Sequence, residues 1–258
     1  MELHECHLDK DRDEKFEYIE IKPVSDWHLD DPNCDKGLIK SDIDFVNEKE
    51  NRFMTLTGDI MGCTTTHSVS NSYESQMTPH MELKQARKML SPVKDKVLAS
   101  IMGNHERRIY RNDGMDVAEE LARELGCYYS KEGMVLKVKF GERKSNQKPQ
   151  VYTLYLSHGF TGSRTTGGKA NRLDKLRNIV VTDVYIVSHS HQKISFNKDI
   201  FMPDMRNNKI TRKKQTFINT GAYLDYGGYG EVKAYDPTDL GTVTLRLYAG
   251  EKNIEVII

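Results

Sequence analysis

A chain of 258 residues, 37% hydrophobic and 29% charged, can bury a full core, and its 38 basic residues balance 38 acidic ones. Zero net charge argues against a protein that grips nucleic acid through bulk positive charge alone, and no apolar run is long enough to span a membrane. The balance conceals an asymmetry: residues 1–50 carry 16 acids against 7 bases, residues 142–178 carry 8 bases against 2 acids, and 206–214 (RNNKITRKK) add five bases.

The opening MELHECHLDKDRDEK is acidic and has no apolar segment, which excludes a secretory signal. Residues 1–15 read as a disordered tail in which His4, Cys6 and His7 form no metal site. Residues 16–24 alternate and are rich in β-formers, a strand that ends at Ser25-Asp26. Ile39, Ile43 and Val46 mark a helix over 38–50, and 53–57 is a short strand that stops at Gly58-Asp59. Leu83, Ala86, Leu90 and Val93 share one face of a helix over 81–93, and 97–102 is a strand ending at Gly103-Asn104. A helix over 115–125 is stopped by Gly126. Residues 134–140 and 152–156 read as paired strands around a basic turn, 183–187 as another strand, and 216–219, 242–248 and 253–258 as the last three. The expected product is one α/β domain over 1–258, with sheets packed in layers and helices outside. Cys6, Cys34, Cys63 and Cys127 lie far apart without CxxC spacing, so they read as free thiols of a cytoplasmic protein, Cys63 as a small buried hydrophobe.

The chemistry sits where these strands end. Successive strands run into Asp26-Trp27-His28, Gly58-Asp59, Gly103-Asn104-His105-Glu106, His158-Gly159 and His189-Ser190-His191. In open α/β sheets, ligands collect beyond the carboxyl ends of strands. Carboxylate, amide and imidazole donors without thiolate suit hard-to-borderline divalent ions. Seven donors (Asp26, His28, Asp59, Asn104, His158, His189 and His191) are too many for one tetrahedral ion and suit two that share a carboxylate. Two ions about 3.5–4 Å apart can activate a water and stabilise both oxygens of an in-line phosphoryl displacement. Taken singly, Asp26 and His28 read as a strand end and cap, and His189 and His191 equally as ligands or as surface residues. Their joint occurrence with Asp59 and Asn104 favours metal.

In this order, D-x-H, G-D, G-N-H-E, H-G and H-x-H resemble the calcineurin-like metallophosphoesterase superfamily, over about residues 18–222. The resemblance implies a layered α/β/β/α sandwich. It implies Asp26, His28 and His191 on one metal, Asn104, His158 and His189 on the other, and Asp59 between them. His105 matches the family's non-ligand histidine, which orients the phosphoryl group or protonates the leaving oxygen. Manganese is the expected ion, and iron, zinc, nickel and magnesium also suit such donors. Ser188 stands where the family's last motif carries glycine, and Asp59 lacks the aspartate-arginine continuation of the Ser/Thr protein phosphatases.

Residues 158–173 (HGFTGSRTTGGKANRL) combine four glycines with Arg164, Lys169 and Arg172, a phosphate cradle or a plain surface loop. Together with residues 219–223 this stretch resembles metallophosphoesterases carried by bacteriophages, which would place the protein in a host cytoplasm. Arg107 and Arg108 follow the GNHE motif and either reach a phosphate or open a solvated helix. The Ser/Thr-rich 64–78 segment reads as a solvated loop or a lid, and 206–214 as solvated surface or the lining of a groove. The function expected is a dinuclear, metal-dependent phosphodiesterase or nuclease acting on nucleic acid or nucleotides. A phosphomonoesterase on nucleotides or phosphoproteins is the first alternative. A non-catalytic scaffold is the second, and the complete donor set counts against it.

Overall fold

The computed structural model describes residues 1–66, 68, 73–159, 162–228, 231 and 236–258. In chain order its elements are β1 (Glu2–His7), β2 (Tyr18–Val24), α1 (Lys36–Glu48), β3 (Arg52–Leu56), α2 (Pro79–Leu90), β4 (Val97–Ile101), α3 (Glu106–Asp113), α4 (Val117–Leu125) and β5 (Tyr128–Ser130). There follow β6 (Gly133–Phe140), β7 (Gln150–Ser157), α5 (Thr166–Asp174), β8 (Val184–Val187), β9 (Ile194–Asp204), β10 (Lys209–Asn219), β11 (Thr244–Tyr248) and β12 (Ile254–Ile257).

Two mixed six-stranded sheets, ordered β12-β11-β2-β3-β4-β5 and β1-β6-β7-β8-β10-β9, pack face to face with helices outside. The alternation along each strand decides which layer a side chain joins. In β3, Phe53 points between the sheets, whereas Met54 and Leu56 pack on the helical side. Ile19, Ile21, Met134, Leu136, Val138 and Phe140 fill the space between the sheets. On one outer face lie Ile39, Ile43 and Val46 of α1, Leu83 and Leu90 of α2, and Leu121 and Leu125 of α4. On the other, Leu173 of α5 and Leu176 cover Tyr185 and Phe217. Each such aliphatic side chain contributes about 1.5–3 kcal/mol by leaving water. This is the expected α/β/β/α sandwich, and among the described residues no helix is long and apolar enough to cross a membrane.

The helix ends follow their local chemistry. The Asp35 carboxylate accepts the Leu38 N–H at 2.8 Å and starts α1, and Asp116 does the same for Glu119 at 2.9 Å at the start of α4. Gly126 closes α4 with φ 71°, the left-handed conformation that glycine adopts without a Cβ clash.

One expectation is corrected, and two segments with open alternatives are located. Residues 1–15 are not a disordered tail: β1 pairs in parallel with β6 from Glu2↔Met134 to His7↔Lys139, and His4 stacks on Tyr128 at 4.6 Å between ring centroids. Strand β1 is an edge strand whose partner lies more than 120 residues away, so local composition does not reveal it. Residues 166–174 are a helix whose first turn is capped by Thr165 Oγ1 accepting from Gly168 N at 3.2 Å, so this half of the glycine-rich stretch is a helix and not a loop. Residues 160 and 161 lie outside the described residues, as do 67 and 69–72 of the 64–78 segment. Finally, the 206–214 run forms the turn and first half of β10 in a β9–β10 ribbon. Lys209 is ten residues from the site end of β10, roughly 33 Å at the usual rise per residue, so the run lines no groove at the donors.

Candidate metal centre

Strands β2, β3 and β4 are parallel neighbours in one sheet, and β7, β8 and β10 are parallel neighbours in the other. Their carboxyl ends meet at one edge of the sandwich. Asp26 and His28 follow β2, Asp59 follows β3, Asn104 follows β4, His158 follows β7, and His189 and His191 follow β8. All seven expected donors are thus brought together. Ligand atoms of Asp26, His28 and His191 lie within 4.8 Å of one another, as do those of Asp59, His158 and His189, and those of His28, Asp59 and His105. Asp59 Oδ2 is 3.2 Å from His158 Nε2, 3.8 Å from His105 Nε2 and 4.0 Å from His28 Nε2. Asn104 Oδ1 is 3.0 Å from His158 Nε2.

The backbone is bent to bring these groups inward. Asp26 (φ 51°), His28 (45°), Asp59 (53°), His189 (69°) and His191 (53°) all adopt the left-handed region. Such a residue other than glycine costs on the order of 1–3 kcal/mol and persists only where its surroundings dictate it. The surroundings do so through close packing. A Cβ on Gly103 would stand 2.0 Å from Asp59 Oδ1, and one on Gly58 would stand 2.5 Å from His158 Nδ1.

Hydrogen bonds orient the donors. His158 Nδ1–H donates to Thr57 O at 2.8 Å, which turns the Nε2 lone pair toward Asp59 and Asn104. Ser25 Oγ–H and His189 N–H donate to Asp26 Oδ2 at 2.7 and 3.1 Å. Tyr223 N–H donates to Asp26 O at 3.1 Å, while its hydroxyl reaches the buried Asp42 on α1 at 2.6 Å. Ser188 is buried and donates to Thr57 Oγ1 at 2.6 Å, so its hydroxyl ties the end of β8 to the end of β3.

This donor set fits a divalent cation. Asp26 Oδ1 and His28 Nε2 are buried and make no hydrogen bond among the described residues, although His191 Nε2 comes within 3.2 Å of the carboxylate oxygen. Lone pairs crowded this closely need a positive charge among them. In the metal-free chain that charge is a proton. Burial pushes His158 down, but the Asp59 and Asp26 carboxylates outweigh it and hold the imidazole up at about 10. Burial raises the Asp26 carboxyl, and the neighbouring imidazoles, His191 foremost, outweigh it and bring it down to about 2. His28 and His189 are pushed down, chiefly by burial.

His105 stands slightly apart. Its Nδ1–H donates to Gly62 O at 2.8 Å, and its Nε2 lies 3.0 Å from Arg108 Nη2, so the imidazole accepts there. Burial, reinforced by Arg108, lowers its pKa. Of the other tentative contacts, Arg107 is held by Glu132 at 3.0 Å and by the Lys131 carbonyl, and Lys169 Nζ donates to Ser190 O at 3.1 Å, bracing the His189–His191 loop. Arg164 and Arg172 flank and enter α5 and are exposed or nearly so.

Two carboxylates that the motifs did not single out carry the 59–63 loop. Glu106 accepts from the N–H groups of Asp59 (3.0 Å), Met61 (3.0 Å) and Gly103 (2.9 Å). Glu82 accepts from those of Gly62 (2.6 Å) and Cys63 (3.0 Å). Glu106 was visible as the last letter of G-N-H-E, whereas Glu82 had no signal beyond falling beside the apolar face of α2. Burial, with Asp30 nearby, raises Glu82 to about 8. Its folded pKa exceeds the unfolded one, so the folded state binds the extra proton and loses stability as pH rises between about 4.5 and 8. Urea melts at pH 5 and pH 8 are expected to show Glu82→Gln gaining on the wild type by a few kcal/mol across that window, on the order of 1.4 kcal/mol per pKa unit. A constant difference between the two proteins would refute this reading of Glu82. Cys63 is buried as expected, and all four cysteines are free thiols.

No family model and no curated protein matches this chain. Solved structures that resemble it include a metallophosphoesterase from Sphaerobacter thermophilus, 13% identical over 91% of this chain and 90% of that one, with a TM-score of 0.39. An uncharacterised, predicted phosphoesterase from Streptococcus pneumoniae TIGR4 is 11% identical over 93% and 88%, with a TM-score of 0.40. A double mutant of Vps29 from Entamoeba histolytica is 14% identical over 93% and 98%, with a TM-score of 0.44. At this distance the functional reading rests on the side chains of this chain.

Proposed function

We propose that this protein is a dinuclear, metal-dependent phosphoester hydrolase that acts on phosphodiesters of nucleic acid or nucleotides. The observation that carries the reading is the convergence of seven candidate donors from five strand ends, two of whose buried atoms have no hydrogen bond among the described residues. Asp26, His28 and His191 would hold one ion, Asn104, His158 and His189 the other, and Asp59 both. Manganese suits this oxygen-and-imidazole set. When bound, two such ions would supply Lewis-acid stabilisation of charge on the phosphoryl oxygens.

The chain's own groups supply the rest. His105 keeps its Nδ1 proton on Gly62 O, so Nε2 is the atom that exchanges protons with substrate. Arg108 donates to that nitrogen at 3.0 Å and holds the resting imidazole neutral. An incoming phosphoryl oxygen competes for the Arg108 guanidinium and frees the Nε2 lone pair, which takes up a proton from solvent and passes it to the leaving oxygen, so the imidazole ends the step neutral again. Arg108, beside the donors and against His105, supports an anionic substrate. The four free thiols support a reducing compartment such as the cytoplasm.

Removal of metal tests the reading. Dialysis against a chelator is expected to abolish hydrolysis of bis-p-nitrophenyl phosphate, and two equivalents of Mn²⁺ per chain are expected to restore it. Rebinding should also raise Tm, with about 2.7 kcal/mol of added stability for each occupied site at free metal a hundredfold above Kd. A monoester turned over faster than the diester would shift the assignment to a phosphomonoesterase. Metal binding without any hydrolysis would favour the scaffold.

A further inference from the structure

A cavity of about 470 Å³ opens beside the donor cluster, lined by Asn104 and His158 together with Arg107, Arg111 and Lys131. Glu132 is the one acidic side chain lining it, and Arg107 neutralises that carboxylate at 3.0 Å. Two cations remain. Arg111, in the last turn of α3, is exposed and forms no ion pair among the described residues. The Lys131 ammonium lies 4.0 Å from the centroid of the Tyr110 ring and 3.4 Å from Asp116 Oδ2, an acid outside the cavity lining that pairs with it and fixes its position, so the net surplus in the cavity is the charge of Arg111. A positive surplus in a concave site next to metal donors attracts and holds anions. The volume falls in the lower part of the range for small-ligand pockets and suits one nucleoside-sized group, not a duplex.

We infer that Arg111 and Lys131 form a subsite for a second phosphate, so that the preferred substrate is a phosphodiester carrying another phosphate one nucleoside away from the scissile one. This rests on the phosphoesterase reading and deepens it. The scissile group sits at Asn104 and His158, the nucleoside occupies the cavity, and the second phosphate meets Arg111 and Lys131. The chemistry is shared by a single-stranded oligonucleotide and by a small nucleoside bisphosphate ester.

The experiment compares thymidine 5′-(p-nitrophenyl phosphate) with and without a 3′-phosphate, using the Mn²⁺-loaded protein. The wild type is expected to favour the 3′-phosphorylated ester by about 10-fold or more in kcat/KM, the scale of a hydrogen bond to a charged group. Arg111→Ala with Lys131→Ala should bring that ratio to about one, and Arg111→Glu should invert it. Arg111 is exposed at a helix end, so the single charge reversal tests the idea even if the double variant folds poorly. Calorimetry of thymidine 3′,5′-bisphosphate with the metal-free protein gives a second readout, in which the same substitutions should weaken binding about 10-fold. Equal kcat/KM for both esters in the wild type, or bisphosphate binding indifferent to the substitutions, overturns the subsite. No hydrolysis of either ester with bisphosphate binding intact overturns the phosphoesterase reading and leaves the subsite standing. Oligothymidylates separate the two sources: affinity that climbs beyond the second phosphate supports the subsite on a strand, and a plateau there supports it on a small nucleotide.

Discussion

Asp59→Asn is expected to lose metal and turnover together. The carboxylate is 1% exposed, and its Oδ2 faces His158, His105 and His28 within 3.2–4.0 Å. Its other oxygen accepts the His105 N–H at 2.8 Å. An amide keeps the shape and one acceptor but removes the negative charge that two cations would share. Changing an outer partner of a metal ligand typically costs 10–100-fold in affinity, and loss of the shared charge should exceed about 10²-fold. The fold should survive, because an amide can still hydrogen-bond to His158 in the metal-free protein. Metal counting beside a thermal melt checks this. A variant that retains two ions and turns over within about tenfold of the wild type would refute the bridging role of Asp59.

His105→Ala should separate binding from chemistry. His105 touches Gly62 O and Arg108, and its Nε2 stays 3.8 Å from Asp59, so its removal takes away no donor assigned to either ion. Both metals are expected to remain while turnover falls by about 10²-fold or more, the usual contribution of a positioned proton donor. The loss should be greatest on diesters with poor leaving groups and least on p-nitrophenyl esters, which depart without a proton. Equal losses on both would assign His105 to orienting the phosphoryl group. Near wild-type rates on a poor leaving group would remove it from the chemistry.

The five donor fragments were legible in the sequence because each follows a short apolar strand, and a strand's end is a local property. The existence of α1 and α4 was legible for the same reason, from periodic apolar residues and, in α4, the terminal Gly126, but their starts at the Asp35 and Asp116 caps lay two residues from where the periodicity put them. Strand β1 was not, since an acidic segment becomes a strand only when β6, from the middle of the chain, supplies its hydrogen-bond partners. The basic 206–214 run shows the converse. Its charge could be read in the sequence, but only the β9–β10 register reveals that it points away from the donors. Lys169, counted among phosphate contacts for its glycine neighbours, is turned by α5 toward the Ser190 carbonyl.

What the sequence by itself offered was seven candidate donors at strand ends and one α/β domain of layered sheets, because residue type and period carry both. The tertiary structure decided which groups outside the motifs serve them. Glu82 supports the 59–63 loop from a helix twenty residues onward, and Arg111 and Lys131 meet across a cavity between α3 and the β5–β6 connection. Such groups have no spacing rule. Each is an ordinary charged residue on its own element, and it acquires a role only when packing removes water on one side and brings amide protons or an anion's path to the other.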